Sequence, residues 1–317
     1  MPVLDRLVSR LTLGGMVVWL VLLAVPLAAA PGAEEEAMHL VLLAPTVLVP
    51  LFVLAAVPAS FGPAPAVLRV AVWLLGPGAL GTVASAVVPA GALAGALAAL
   101  WLLPTGLLAF KAVADAGRRW RETTLDAAEV LVTAGWVALP VGAAGVVLAR
   151  SGAQTGLDPF AMLLMTGHIL GTGAILPLWS GLLGRSVGAS GWRRWVASLL
   201  LTGLWGLTAG VVLSGGLAPS ASVVAPGILL ALAASGVGIA GVVWAGRVEE
   251  RATGLMLAVS GGTLVLAMVL AAWFTVGLGR SAEDVAWMVE RYGWLTAFFA
   301  LWGGLGWRRL RPRPAAA

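Results

Sequence analysis

His168 lies in the run Met165-Thr166-Gly167-His168-Ile169-Leu170-Gly171-Thr172-Gly173, an imidazole set among hydroxyls and glycines. Glycines let backbones approach closely, and the hydroxyls of Thr166 and Thr172 can bond a backbone carbonyl or a ligand. An imidazole in such a place could handle a proton or orient a ligand. It could equally be a neutral ring that joins two helices by hydrogen bonds. Asp126 and Glu129 are the second candidate pair. Their i, i+3 spacing puts them on one helical face, at a helix start where the dipole favours negative charge. Glu129 is either a functional carboxylate or an interfacial one, solvated or paired with Arg121. His39 follows Glu34, Glu35 and Glu36, but that spacing is loose for a metal site and the groups are expected to be hydrated. Tyr292, the only tyrosine, follows Glu290 and Arg291, which are expected to be solvated at a helix end. A GxxxxGKS phosphate loop, an HExxH pair and a paired Asp-rich motif are all missing from the sequence.

The elements that must hold these residues are set by composition. The 317 residues are 60% hydrophobic and 10% charged. Soluble domains carry about 25% charge, so lipid is the expected solvent. The net charge of +5 does not imply nucleic acid, because the cations fall in short loops between apolar runs. The chain has no cysteine, which removes disulfides, thiolate metal sites, iron–sulfur clusters and covalently attached c-type haem. No metal and no cofactor are expected.

A spanning helix needs about 20 apolar residues. The fold expected is an all-α polytopic transmembrane bundle, one domain over 1–317. Its helices are read near 11–30, 38–59, 70–90, 92–110, 127–149, 159–184, 195–214, 223–246, 253–276 and 292–307. Ten crossings place sixteen of the nineteen Lys and Arg residues on one side: Arg6, Arg10, Arg69, Lys111, Arg118, Arg119, Arg121, Arg185, Arg193, Arg194, Arg247, Arg251, Arg308, Arg309, Arg311 and Arg313. The other side holds Arg150, Arg280 and Arg291. Dropping one helix would flip every later loop and destroy the bias, so the count and the orientation support each other. Both termini are expected in the cytoplasm.

Further expectations concern individual segments. The first helix is read as uncleaved, since its apolar stretch is longer than the 7–15 residues of a signal core. Lys111 to Glu122 is polar and suits an amphipathic helix on the cytoplasmic face. Trp120, Trp192, Trp195, Trp244 and Trp307 sit at segment ends, as interfacial anchors do. Pro45, Pro50, Pro77, Pro140 and Pro177 should bend the helices that contain them. Nine residues into its helix, His168 should lie about 14 Å deep, near the midplane. Glu129 should lie some 4–6 Å inside the opposite boundary, leaving roughly 10 Å of depth between them. A haem shared by His39 and His168 is excluded by their unequal depths.

The chain resembles the YndJ-like family of bacterial membrane proteins. The resemblance is carried by Leu139-Pro140-Val141-Gly142, Arg150-Ser151-Gly152, Leu164 to His168, Gly173, Ile175-Leu176-Pro177 and Gly181 to Arg185. Leu42 to Pro45, Val49-Pro50-Leu51 and Met288 to Trp307 extend it. The family pattern at the sixth segment has the form LTAVHFHYAGFALP. His168 matches its first histidine; Leu170 and Gly171 stand where it has a second histidine and a tyrosine. A later HG is Tyr292-Gly293 here, and an NA is Thr296-Ala297. This chain therefore keeps one imidazole where the pattern has three, and a metal-binding histidine pair is not expected.

The resemblance implies no firm activity. The function expected is that of a carrier or binder of a small or lipophilic ligand, with a polar site of His168, Glu129, Thr166, Thr172, Asp126 and Tyr292. A membrane-embedded isomerase or cyclase acting on a lipid or terpenoid is an alternative, with His168 or Glu129 as general acid. A structural or assembly protein is the third. Membrane lipids are the expected partners and nucleic acid is not.

Overall fold

The computed structural model describes residues 66–122, 126–154, 156, 159–187, 190–214, 220–277 and 282–310. The expected segments 11–30 and 38–59, with His39 and its acidic neighbours, lie outside the described residues. So do Pro45 and Pro50. Among the described residues the secondary structure is helical throughout. The helices are α1 (Ala66–Val87), α2 (Ala92–Ala99), α3 (Leu102–Glu122), α4 (Ala127–Ser151), α5 (Pro159–His168), a π-helical segment (Ile169–Ile175), α6 (Leu176–Val187), α7 (Ser190–Ser214), α8 (Ala221–Ala245), α9 (Arg251–Val276) and α10 (Ala282–Arg309). Among the described residues, six spans are long and apolar enough to cross a membrane: α1, α2 with α3, α4, α7, α8 and α9.

Neighbours along the chain pack antiparallel, and glycines show the register. A methyl group added at Gly81 would meet Leu97 and Leu100, and one at Gly78 would meet Trp101. Gly203 faces Leu230 and Gly206 faces Pro226 across α7 and α8. Gly238 and Gly261 face each other's carbonyls across α8 and α9. Lipid gives little hydrophobic reason for helices to associate, so close packing of this kind is what holds them. Because the helices alternate in direction, the cations at 118–121, 185–194, 247–251 and 309 gather at one end of the bundle.

Four local expectations are corrected. Lys111 to Glu122 is helical but not a separate element; it continues α3 without a break, since no proline lies between Phe110 and Glu122 to end the helix. The sixth segment is not one uniform α-helix; it changes to π geometry after His168. Pro177 lacks an N–H, and its ring would crowd the carbonyl of Gly173 four residues earlier, which a wider turn relieves. The last helix begins at Ala282 rather than near residue 292, so Glu290 and Arg291 lie within it. Trp307 is not an interfacial anchor: it is buried and stacks on Trp244, with ring centroids 5.4 Å apart. Trp120 and Trp195 are exposed at helix ends, as expected.

The middle of the bundle is the run from Ile169 to Gly184, every residue of which is buried. It lies against α4 on one side and against α8 and α10 on the other. Gly135 approaches the Ala174 carbonyl and Leu178, while Gly181 approaches Val132 and the Ala128 carbonyl. On the far side, Trp179 is wedged between Gly241 of α8 and Gly303 of α10, edge-on to Phe299 at 5.6 Å. A helix apolar on all faces belongs in such a place.

Candidate functional site

The polar residues expected to form one site separate into two groups. Across α4 and the central segment, residue 128 lies opposite 181 and 184, 135 opposite 174, 142 opposite 169 and 170, and 145 opposite 166. His168 therefore sits near residue 143 of α4, fourteen residues beyond Glu129. At 1.5 Å per residue the separation along the axis is about 20 Å, twice the distance expected from the sequence. Asp126 and Glu129 share no site with His168.

The first group is the imidazole end. Thr172, in the π-helical segment, is buried, and its Oγ1 lies 2.8 Å from the Tyr292 hydroxyl on α10, either oxygen being able to donate. Thr296 Oγ1 donates to the Tyr292 carbonyl at 2.8 Å, which fixes the helix turn that carries the phenol. Gly171 brings the backbones together there: a methyl group added to it would lie 3.3 Å from Thr296 Cγ2. His168 is one turn before Thr172, on nearly the same face. Its Nε2 is buried with no hydrogen-bond partner. Thr166 is also buried, but two residues from His168 it points to another side and packs against Gly145 of α4. Of the expected residues, the fold brings Thr172 and Tyr292 into direct contact, sets His168 beside them, and directs Thr166 elsewhere.

The second group is an ion-pair network at the cation-rich end. Glu129 accepts two hydrogen bonds from Arg185, Nε to Oε1 at 2.8 Å and Nη2 to Oε2 at 2.8 Å. Arg119 also pairs with Glu129. The expected partner, Arg121, is not the one used. An α-helix turns 100° per residue, so Arg119 and Arg121 face different ways. Asp126 pairs with Arg193. These contacts join the end of α3, the start of α4, the end of α6 and the start of α7.

One arrangement went unread in the sequence. Arg150, in the last turn of α4, donates from Nε and Nη2 to the Ser85 carbonyl at 3.0 and 2.7 Å, and from Nη2 to the Val88 carbonyl at 2.6 Å. The end of α1 leaves carbonyls without intrahelical partners, and this guanidinium satisfies them. That is a structural reason for one cation on the otherwise cation-poor side. The sequence holds only the two halves of this contact, a lone Arg at one helix end and a helix end at Pro89-Ala90-Gly91 that needs donors, some sixty residues apart.

Among the described residues no group of three His, Asp or Glu side chains is placed to hold a metal ion. The central segment and α10 meet at residues 171–172 and 292–296. A family model described as YndJ-like protein matches residues 39–299. The chain belongs to the YndJ-like family. Searches of curated proteins and of solved structures give no match. The YndJ-like match spans α1 through most of α10 and covers both polar groups. The resemblance assigned the family's histidine and tyrosine positions to 168, 170, 171 and 292. In this YndJ-like chain Leu170 is fully buried and packs on Gly142 of α4. Gly171 leaves room for Thr296, and Tyr292 meets Thr172.

Proposed function

We propose that this YndJ-like protein is a carrier or binder of a small or lipophilic ligand, held near His168, Thr172 and Tyr292. In this reading the chain crosses the bacterial cytoplasmic membrane ten times with both ends in the cytoplasm. The observation that carries the site is the buried, unpartnered Nε2 of His168. Other polar side chains buried in the bundle are satisfied: Thr82, Ser85, Thr105, Ser180 and Ser260 each donate to a backbone carbonyl. The indole N–H groups of Trp101, Trp179 and Trp307 are also unpartnered. Apolar ring area drives an indole inward, whereas an imidazole has little such reason to be there. A π-helical turn beside the imidazole supports the same reading, since such turns concentrate at functional sites.

The test uses the scarcity of histidine. With His39 replaced by Gln, labelling by a histidine-directed acylating reagent reports only on His168. A carrier should be labelled from one face of sealed vesicles, with protection once a ligand is found. His168→Ala should insert and fold yet fail to restore the deletion strain. Wild-type behaviour of that strain with a stable His168→Ala protein sinks the proposal. Glu129 is assigned a structural role rather than a place in this site, on its three guanidinium contacts.

A further inference from the structure

Thr172 is bonded unlike the threonines around it. Thr82, Thr105, Thr208, Thr263, Thr275 and Thr296 each donate to the carbonyl four residues earlier in their own helix. Thr172 lies in the π-helical segment, whose ladder runs to the fifth residue, and its hydrogen bond crosses to the Tyr292 hydroxyl on α10. Thr296, one turn further along α10, uses its own hydrogen on the Tyr292 carbonyl. Two hydroxyls hold two hydrogens, and the bond between Thr172 and Tyr292 uses one of them. Each oxygen therefore has a partner, yet the pair still has one hydrogen to donate. His168 is four residues before Thr172, and side chains so spaced have Cβ atoms about 5–6 Å apart. Its Nε2 is buried and bonded to nothing. A single oxygen takes two hydrogen bonds of about 2.8 Å each, so one ligand atom can reach both the imidazole and the hydroxyl pair.

The residues bounding these groups along both helices are apolar. Met165 precedes His168 by one turn and Ile175 follows Thr172 by one, both buried; Leu295 follows Tyr292 by one and packs against the core. Arg291 is next to Tyr292 in sequence but exposed, 100° around the helix from it. An imidazole, a phenol and a threonine hydroxyl offer hydrogen bonds without a formal charge, and an ion placed among them without a countercharge is costly. Given a ligand at His168, the reading on which this rests, we infer that it is a lipophile presenting one uncharged oxygen, a carbonyl or a hydroxyl, to His168 and the Thr172–Tyr292 pair. A neutral imidazole has one N–H and one lone pair, and which of them is at Nε2 selects between the two oxygens. A carbonyl accepts from Nε2–H and from the remaining hydroxyl hydrogen. A hydroxyl donates to a bare Nε2 and accepts from the pair.

The full chain in lipid nanodiscs is photolabelled with a long-chain alcohol and with the matching methyl ketone, each carrying a mid-chain diazirine, and labelled peptides are identified by mass spectrometry. Label from at least one probe should fall within 162–176 and 291–299. Competitors of the same chain length are the plain alcohol, the methyl ketone, the alkane, the sulfonate and the trimethylammonium ion. Each hydrogen bond contributes about a fivefold gain, so the better of the alcohol and the ketone should displace the probe about twentyfold better than the alkane. The sulfonate and the ammonium ion should do no better than the alkane. Success of the alcohol alone places the lone pair at Nε2, success of the ketone alone places the N–H there, and either supports the inference. Thr172→Val with Tyr292→Phe, and separately His168→Leu, should each lower the preference over the alkane about fivefold. An alkane that competes as well as both oxygen compounds, or a preference untouched in these variants, would overturn the inference. Preference for the sulfonate or the ammonium ion would overturn the uncharged oxygen while leaving a ligand site at His168 standing. No label within 162–176 or 291–299 would also overturn it, and together with a stable His168→Ala protein that restores the deletion strain would remove the ligand site as well.

Discussion

Glu129→Gln separates a carboxylate that holds helices together from one that works on a ligand. The substitution keeps size and one carbonyl acceptor but removes the charge from between Arg119 and Arg185. The magnitude follows from burial. Exposed ion pairs contribute about 0.2–1 kcal/mol, and breaking a buried one costs about 3–5 kcal/mol. Here the side chains are 20% exposed for Glu129 and 24% for Arg185, with 38% for Arg119. The Arg185 contact is bidentate, which is the strong geometry. Discounting the Arg119 contact for solvent screening, the loss should be about 2–3 kcal/mol. Arg185→Gln should cost a similar amount. The double variant should be less unstable than the sum by about 1–2 kcal/mol, because the two residues interact directly. Unfolding in mixed detergent–SDS micelles measures these differences. Raising salt should recover little of the loss, since partly buried pairs are weakly screened. If Glu129→Gln unfolds like the unmodified protein and nevertheless fails to restore the deletion strain, the structural assignment is wrong.

Other variants test other contacts. Tyr292→Phe and Thr172→Val remove the same hydrogen bond, so each should cost about 1 kcal/mol and the pair no more than either alone, measured by the same unfolding assay. Arg150→Ala strips the donors from the Ser85 and Val88 carbonyls and should destabilise by about 2–3 kcal/mol, with Arg150→Lys intermediate; equal stability of all three would refute the capping role. Gly303→Ala forces a methyl to within 2.8 Å of Trp179 Nε1 and Ser260 Oγ, and should cost about 1–3 kcal/mol with a change in tryptophan fluorescence. His168→Leu should change stability by less than about 1 kcal/mol, because no hydrogen bond is lost; a larger loss would show that the ring holds helices together.

Much of the described helical ladder was legible because lipid imposes a length on apolar runs. Segments such as 127–149 and 223–246 differ from α4 and α8 by only a residue or two at each end. The illegible parts are those where one residue's role depends on another far along the chain. Apolar length alone ends a helix at Phe110, but the backbone continues to Glu122, since charge ends a lipid-facing stretch without ending a helix. Arg121 is nearer Glu129 in sequence than Arg185 is, yet the antiparallel packing of α4 on α6 brings Arg185 opposite. The same packing sets the distance between Glu129 and His168, which depth counted from two separate boundaries underestimates. Trp179 reads as one more apolar residue until Gly241 and Gly303 are seen to make room for it.

The two polar groups differ in what the surrounding helices do for them. At the cation-rich end every acid among Asp115, Asp126 and Glu129 is matched by guanidinium or ammonium groups, and those pairs connect four helix ends. At the other, the hydroxyls of Thr172 and Tyr292 satisfy each other, and only the imidazole is left over. An ion-pair network that spans helix ends resists separation of those ends, whereas a single hydrogen bond of about 1 kcal/mol can be exchanged for one to a ligand. Thr172 lies in the π-helical turn, a geometry frequent at functional sites. A ligand entering beside His168 would therefore meet the most replaceable polar contact in the central segment, while the Glu129 network holds the far end of that segment in place.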